Sequence, residues 1–207
     1  MIKRTMGRSL LTLLVITGLA GTINDSSPSK KERKYGTALM KESRDEVIRN
    51  VKDLSEVQLN FKAAPEKWSV KECTYHIAAA EKLLWTMFEG AMKGPANPEK
   101  RAEIKVTDEQ IVQMVEDRTK KAQAVEPLQP KNTGYKSEQE AIEDFKKNRL
   151  EHIKYLKNST EDLRNHVVQL PFGWIDCYQL YLLIGAHSNR HNQQISEVKA
   201  NSAFPAK

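Results

Sequence analysis

Two histidines four residues apart give the most specific chemical signal in this sequence. His187 and His191 stand in the run HSNRH, and this spacing places both imidazoles on one face of a helix, one turn apart. Pairs of this kind commonly bind a divalent metal. His76, in the run WSVKECTYHIAAAE, lies on a different predicted helix and can supply a third nitrogen. If the three side chains meet, they form a metal site with open positions, whereas the spacing alone also allows hydrogen-bonded histidines in a core.

The pattern around the pair places it on the inner side of the last predicted helix. This helix runs over residues 176–200, with Asp176 as its N-cap. Its inner stripe repeats at steps of three and four: Leu180, Ile184, His187, His191, Ile195 and Val198. Two buried imidazoles require either two hydrogen-bond partners or one metal. A zinc-protease helix would read HExxH. This chain has Ser188 where that motif has its glutamate, so a protease of that type is excluded.

His76 lies on a helix that is predicted to begin behind a capping box. Ser69 and Glu72 have the spacing in which each side chain bonds the backbone of the other, which favours a structural role for Glu72 over a catalytic one. The apolar stripe of this helix contains Cys73, Ile77, Ala80, Leu84 and Phe88. His76 stands at its edge. Cys73 is a candidate fourth ligand, but a buried core thiol is the favoured interpretation.

The remaining periodicity predicts an all-α protein. Two further long helices are expected over residues 36–54 and 137–158, and a shorter amphipathic helix over 107–121. Residues 59–68 are expected to form an extended linker, and 160–174 a loop. No segment shows a pattern that predicts a β-strand. The simplest architecture is a four-helix bundle with a long crossover between the second and third long helices.

The two histidine-bearing blocks, NFKAAPEKWSVKECTYHIAAAE and LYLLIGAHSNRHNQQISEVK, resemble the DinB-like superfamily. In that family the second helix opens with W-S-x-x-E followed by a histidine, and the last carries H-x-x-x-H followed by Q-I. The resemblance extends over residues 36–200. It implies a bundle that binds a divalent metal through His76, His187 and His191, and it implies a homodimer. Zinc, nickel and iron all suit three imidazoles.

Two kinds of activity are known among proteins of this family. Some relatives are S-transferases that use the thiols bacillithiol or mycothiol, and others are described as metal-dependent hydrolases. The resemblance therefore implies a small-molecule substrate and either reaction. The alternative is a metal-binding or purely structural dimeric bundle without turnover.

The sequence does not assign a catalytic acid or base. Glu81 and Gln194 lie within a turn or two of the histidines, but only their nearness suggests a role. Arg149 falls on the inner stripe of its helix, where it either lines a pocket for an anionic substrate or extends its charge to solvent. His152 is expected at a helix flank, and His166 in a loop.

The N-terminal segment is typical of an exported protein. Basic residues at positions 3, 4 and 8 precede an apolar run over 10–20 and several small residues, which predicts a signal peptide over 1–22. A polar linker is expected over 23–35 and a tail over 201–207. The apolar run is too short to serve as a transmembrane anchor, which needs about 20 residues. The protein is therefore predicted to be periplasmic or secreted. The alternative is an uncleaved leader on a cytoplasmic protein.

The composition favours one globular domain. A chain of 207 residues with 39% hydrophobic residues is long enough for a single core. The net charge of +6 is not gathered into a basic stripe interleaved with aromatic residues, so nucleic acid is not an expected partner. Cys73 and Cys177 are too few for a disulfide framework, and their predicted helix positions do not suit a bridge. Both are expected to be buried thiols.

Overall fold

The computed structural model describes residues 27–121 and 123–206, and the part of the chain it describes contains six α-helices and one β-hairpin. The helices are α1 (Lys30–Val51), α2 (Glu56–Asn60), α3 (Val70–Lys93), α4 (Asp108–Glu116), α5 (Glu138–Asn158) and α6 (Cys177–Lys199). The antiparallel strands are β1 (Val167–Leu170) and β2 (Gly173–Asp176). Short 3₁₀ turns occupy Pro98–Glu103, Glu126–Leu128 and Pro130–Asn132.

Helices α1, α3, α5 and α6 form the bundle. Helix α6 packs against α1 and α3, and α5 packs against the same two helices. The short helix α4 lies on the outer side of this arrangement against α6. The connection from α3 to α5 carries α4 and all three 3₁₀ turns, which makes it the long crossover that the sequence predicts. The predicted four-helix bundle is therefore confirmed.

Local capping explains why several of these helices begin where they do. Ser69 Oγ accepts a hydrogen bond from the Glu72 amide, and the Glu72 carboxylate accepts one from the Ser69 amide. The predicted capping box is thus present, and it gives Glu72 the structural role that the sequence favours. Asp176 caps α6 in the same reciprocal way with Gln179.

Helix α1 begins earlier than the predicted start at residue 36. Ser29 and Glu32 form a capping box, so the polar linker predicted over 23–35 is helical from Lys30 onward. Residues distant in the sequence also stabilise the first turn. Tyr178 donates a hydrogen bond to the carbonyl oxygen of Glu32, and Arg164 pairs with the Glu32 carboxylate. The predicted signal peptide over 1–22 lies outside the described residues. Export and homodimer formation both stay predictions.

The hairpin corrects the prediction of a strandless chain. Its strands pair from Val167 with Asp176 to Leu170 with Gly173, so the first strand and the start of the second lie in the region expected to be a loop. Four-residue strands are too short for an alternating pattern to stand out. Two further boundaries differ from those predicted. Helix α2 occupies part of the expected extended linker, and α4 ends at Glu116.

The core consists of two apolar clusters separated by one polar layer. Arg149 lies on α5 between Phe145 of one cluster and Ile153 of the other. The layer contains one buried side chain from each of the other bundle helices: Ser43, Glu81 and Ser188. Each of these also falls along its own helix between members of the two clusters. The polar layer therefore crosses the whole bundle.

Both cysteines are free and buried, as the sequence predicts. Cys73 belongs to the apolar cluster that includes Phe145, and Cys177 belongs to the other. Among the described residues, no helix is long and apolar enough to cross a membrane.

Candidate metal centre

The three predicted histidines meet where α3 faces α6. Nε2 of His76 lies 3.2 Å from Nε2 of His187. The His191 ring centroid lies 4.4 Å from that of His76 and 4.6 Å from that of His187. One ligand nitrogen from each residue lies within 4.8 Å of the other two. Cys73 is not a member of this group, which argues against the fourth-ligand interpretation.

Burial keeps the three imidazoles neutral. His76 and His191 are buried, and His187 is partly buried. Burial lowers the pKa of His76, and burial together with the neighbouring His76 imidazole lowers the pKa of His187 to about 3. Burial and the imidazoles of His187 and His76 place the pKa of His191 well below its usual value. At neutral pH each ring therefore has a free lone pair, which metal coordination requires.

The backbone of the crossover orients one of these rings. Nδ1 of His76 lies 2.8 Å from the carbonyl oxygen of Leu128. Because a carbonyl only accepts, Nδ1 carries the proton and Nε2 carries the lone pair. Nε2 is also the nitrogen that faces His187. Metal-binding histidines usually have such a partner on their second nitrogen. This contact could not be identified from the sequence, because every residue has a backbone carbonyl and none of them stands out as the partner of His76.

Trp68 covers one side of the cluster. Its ring centroid lies 4.8 Å from that of His76 and 5.9 Å from that of His191, with the latter pair stacked. Trp68 directly precedes the Ser69 cap, so the start of α3 fixes its position. The indole provides an apolar wall that limits the access of water from this side.

The spacing of two of the three ligand nitrogens fits coordination of a divalent ion. Tetrahedral coordination at 2.0–2.1 Å, as for zinc and imidazole, places ligand nitrogens about 3.3 Å apart. The 3.2 Å separation of the His76 and His187 Nε2 atoms agrees with this value. Three nitrogens without a thiolate or carboxylate would leave at least one position open, as in catalytic rather than closed structural sites.

The position of Arg149 contradicts both interpretations that the sequence allowed: its side chain neither lines a pocket nor extends to solvent. It is fully buried, and each of its five N–H groups has an acceptor. Glu81 accepts two of these bonds, at 2.8 and 2.6 Å. The other acceptors are Ser43 Oγ, Ser188 Oγ and the Met40 carbonyl oxygen. Ser188, which stands where the zinc-protease motif has its glutamate, thus belongs to the polar layer.

Glu81 serves as the partner of Arg149, which leaves no free base at this position. Its Oε1 also accepts a hydrogen bond from His152 Nδ1 at 2.7 Å. Burial raises the pKa of Glu81, but the Arg149 charge and these hydrogen bonds outweigh it and bring the pKa below its usual value. Glu81 is therefore an ionised carboxylate whose two oxygens are both occupied.

His152 lies in the core and corrects the expectation of a helix flank. It is 3% exposed, and its ring stacks on that of Trp85 with centroids 3.8 Å apart. A signal was available in the sequence, because His152 stands three residues after Arg149 on the same helix face. His166 lies in the loop before β1, as predicted, within hydrogen-bond distance of the Asp162 and Gly94 carbonyl oxygens.

Comparison with known proteins agrees with the fold and with the resemblance of the motifs. Residues 39–195 match the model of the DinB superfamily. The chain is 26% identical over 165 residues to the uncharacterized protein YuaE of Bacillus subtilis (strain 168), covering 78% of this chain and 96% of YuaE. Its structure is similar to that of YfiT from Bacillus subtilis, reported as "a probable metal-dependent hydrolase with an unusual four-helix bundle topology". That match has a TM-score of 0.60 and 14% identity, over 86% of this chain and 92% of YfiT.

Proposed function

Because this chain belongs to the DinB superfamily, we propose that it is a metal-dependent hydrolase of a small molecule, with one divalent ion held by His76, His187 and His191. The observation that carries the proposal is the convergence of three neutral imidazoles on one point. An ion bound there supplies Lewis acidity, which lowers the pKa of water and polarises a substrate carbonyl or phosphoryl group.

The packing of the bundle supports a chemical rather than a structural role for the ion. Two apolar clusters fill the core on either side of the polar layer. None of the fully buried side-chain nitrogens and oxygens in the described residues lacks a hydrogen-bond partner. The folded chain is thus satisfied by its own contacts, unlike small metal-dependent domains whose folding requires the ion.

The surroundings of the site restrict which groups take part in the reaction. Both oxygens of Glu81 are occupied, and Glu72 is used by the helix cap. Burial raises the pKa of the Cys73 and Cys177 thiols, so neither is a nucleophile at neutral pH. We infer that the nucleophile is water rather than a protein side chain. Thiol transfer at the same site would need a thiol as second substrate.

An activity screen tests the proposed reaction. Protein made without an affinity tag would be loaded separately with Zn²⁺, Ni²⁺ and Fe²⁺ and assayed on ester, amide and phosphoester panels. We expect hydrolysis by at least one metal form, reduced to background by a chelator and restored by the same metal. Turnover only when a low-molecular-weight thiol is added would replace the hydrolase by a thiol transferase. Chelator-resistant hydrolysis would contradict a metal-dependent reaction.

Trp68 provides an optical test of where the ion binds. Because its indole lies against two of the proposed ligands, we expect Ni²⁺ to quench its fluorescence. The Trp68→Phe variant should lose this quenching. Trp174, which lies in β2 and contacts Lys100 rather than the histidines, is the control, and Trp174→Phe should retain it. Equal quenching in both variants would place the ion elsewhere.

A further inference from the structure

The side-chain amide of Gln194 joins His191 to the guanidinium of Arg118. Arg118 Nη1 lies 3.3 Å from Gln194 Oε1, and His191 Nδ1 lies 3.0 Å from the same atom. A guanidinium only donates, so the atom it contacts must be the amide oxygen and not the amide nitrogen. The orientation of the Gln194 amide is therefore determined by its neighbours.

This orientation determines which nitrogen of His191 carries the proton. Since the Gln194 oxygen only accepts, Nδ1 of His191 must donate to it. A neutral imidazole has a single proton, so the lone pair of His191 is on Nε2. The Leu128 carbonyl has the same effect on His76. Two of the three rings are thus fixed with Nε2 available for coordination.

Arg118 is itself held in place by a bidentate ion pair. Its Nε and Nη2 donate to the two carboxylate oxygens of Glu197, at 3.0 and 2.6 Å. The hydrogen bond from Arg118 also lowers the pKa of Glu197 below its usual value, and both groups are charged at neutral pH. Glu197 follows Gln194 by three residues on α6, so both side chains reach Arg118 from one helix face. Arg118 belongs to the crossover, just after α4.

We propose that Gln194, held by Arg118, is a positioning residue that keeps His191 in the Nδ1-protonated tautomer and so presents Nε2 to the metal. The inference rests on the proposed metal site and adds to it a role for the crossover. This segment supplies both Arg118 and the Leu128 carbonyl, and therefore orients ligands on two bundle helices. Loss of such a partner typically weakens metal binding about 10–100-fold.

Substitutions at Gln194 test this role with a matched control beside it. Gln194→Met removes the acceptor, whereas Gln194→Glu keeps an acceptor for both His191 and Arg118. Gln193→Met makes the same chemical change at the exposed neighbouring residue, which bonds only the Glu116 carbonyl. Zn²⁺ affinity would be measured by competition with a chelator. The histidine tautomers would be read from ¹⁵N NMR shifts of the metal-free protein.

We expect Gln194→Met to bind Zn²⁺ about 10–100-fold more weakly than the wild type and to populate both tautomers of His191. Gln194→Glu and Gln193→Met should retain both the affinity and the single tautomer, and the unfolding midpoint of the metal-free protein should not change. Wild-type affinity and a single tautomer in Gln194→Met would overturn the inference, as would an equal loss in Gln193→Met. If the wild type bound no metal, the proposed function would fail, and the tautomer measurement alone would decide the role of Gln194.

Discussion

Replacement of Arg149 by methionine should lower the free energy of unfolding by about 3–5 kcal/mol. Methionine occupies a similar volume but leaves the Glu81 carboxylate buried without its counter-ion. It also removes the donors that Ser43, Ser188 and the Met40 carbonyl use. For a domain of this size, the loss corresponds to a melting temperature lower by about 6–20 °C. Urea unfolding of the metal-free protein at neutral pH would measure it.

A control and a double variant show whether the unpaired charge causes this loss. Lys154→Met makes a comparable change on the exposed face of α5, where Lys154 pairs only with Glu151, and should alter stability by at most about 0.5 kcal/mol. Adding Glu81→Leu to Arg149→Met removes the uncompensated carboxylate, so the double variant should be more stable than Arg149→Met alone. A loss below about 1 kcal/mol in the single variant would contradict this account.

Replacement of either helix-α6 histidine by alanine should abolish stoichiometric metal binding. The wild type is expected to hold one ion per chain. His187→Ala and His191→Ala leave two imidazoles of the three, and neither should retain metal after dialysis. Binding to the native state alone also raises stability, by about 2.7 kcal/mol when the free metal exceeds the dissociation constant 100-fold. Chelator should therefore lower the melting temperature of the wild type but not of the two variants.

Elemental analysis of protein made without an affinity tag would measure the metal content directly. His166→Ala is the matched control, because His166 contacts backbone carbonyls in a loop and lies outside the cluster. It should bind as much metal as the wild type. Equal metal in all four proteins would place any site elsewhere. A melting temperature that chelator does not change would mean that the three histidines are hydrogen-bonded core residues.

The histidine cluster could be predicted because its signal is local. The spacing of His187 and His191 fixes their common face, and the apolar residues around them show that this face is turned inward. His76 follows a capping box whose two members are three residues apart. Each of these patterns can be read within one or two helical turns.

The polar layer could not be predicted because its partners are distant in the sequence. Arg149 lies 68 residues from Glu81 and 109 from Met40, so the sequence shows only a charge on an apolar stripe. The early start of α1 differs in this respect, because its capping box of Ser29 and Glu32 is a local pattern that could have been recognised from the spacing of the two residues. The contacts of Gln194 and Leu128 depend on the path of the crossover, which periodicity does not determine.

The polar layer should make assembly of the bundle cooperative. The hydrogen-bond acceptors of Arg149 lie on three other helices. A partly assembled species with one of those helices undocked would keep a guanidinium in apolar surroundings without a full set of acceptors, which is strongly unfavourable. A register shift of one helical turn would separate the same groups. The layer therefore disfavours both three-helix intermediates and misaligned bundles, and leaves one arrangement in which all four helices are docked together.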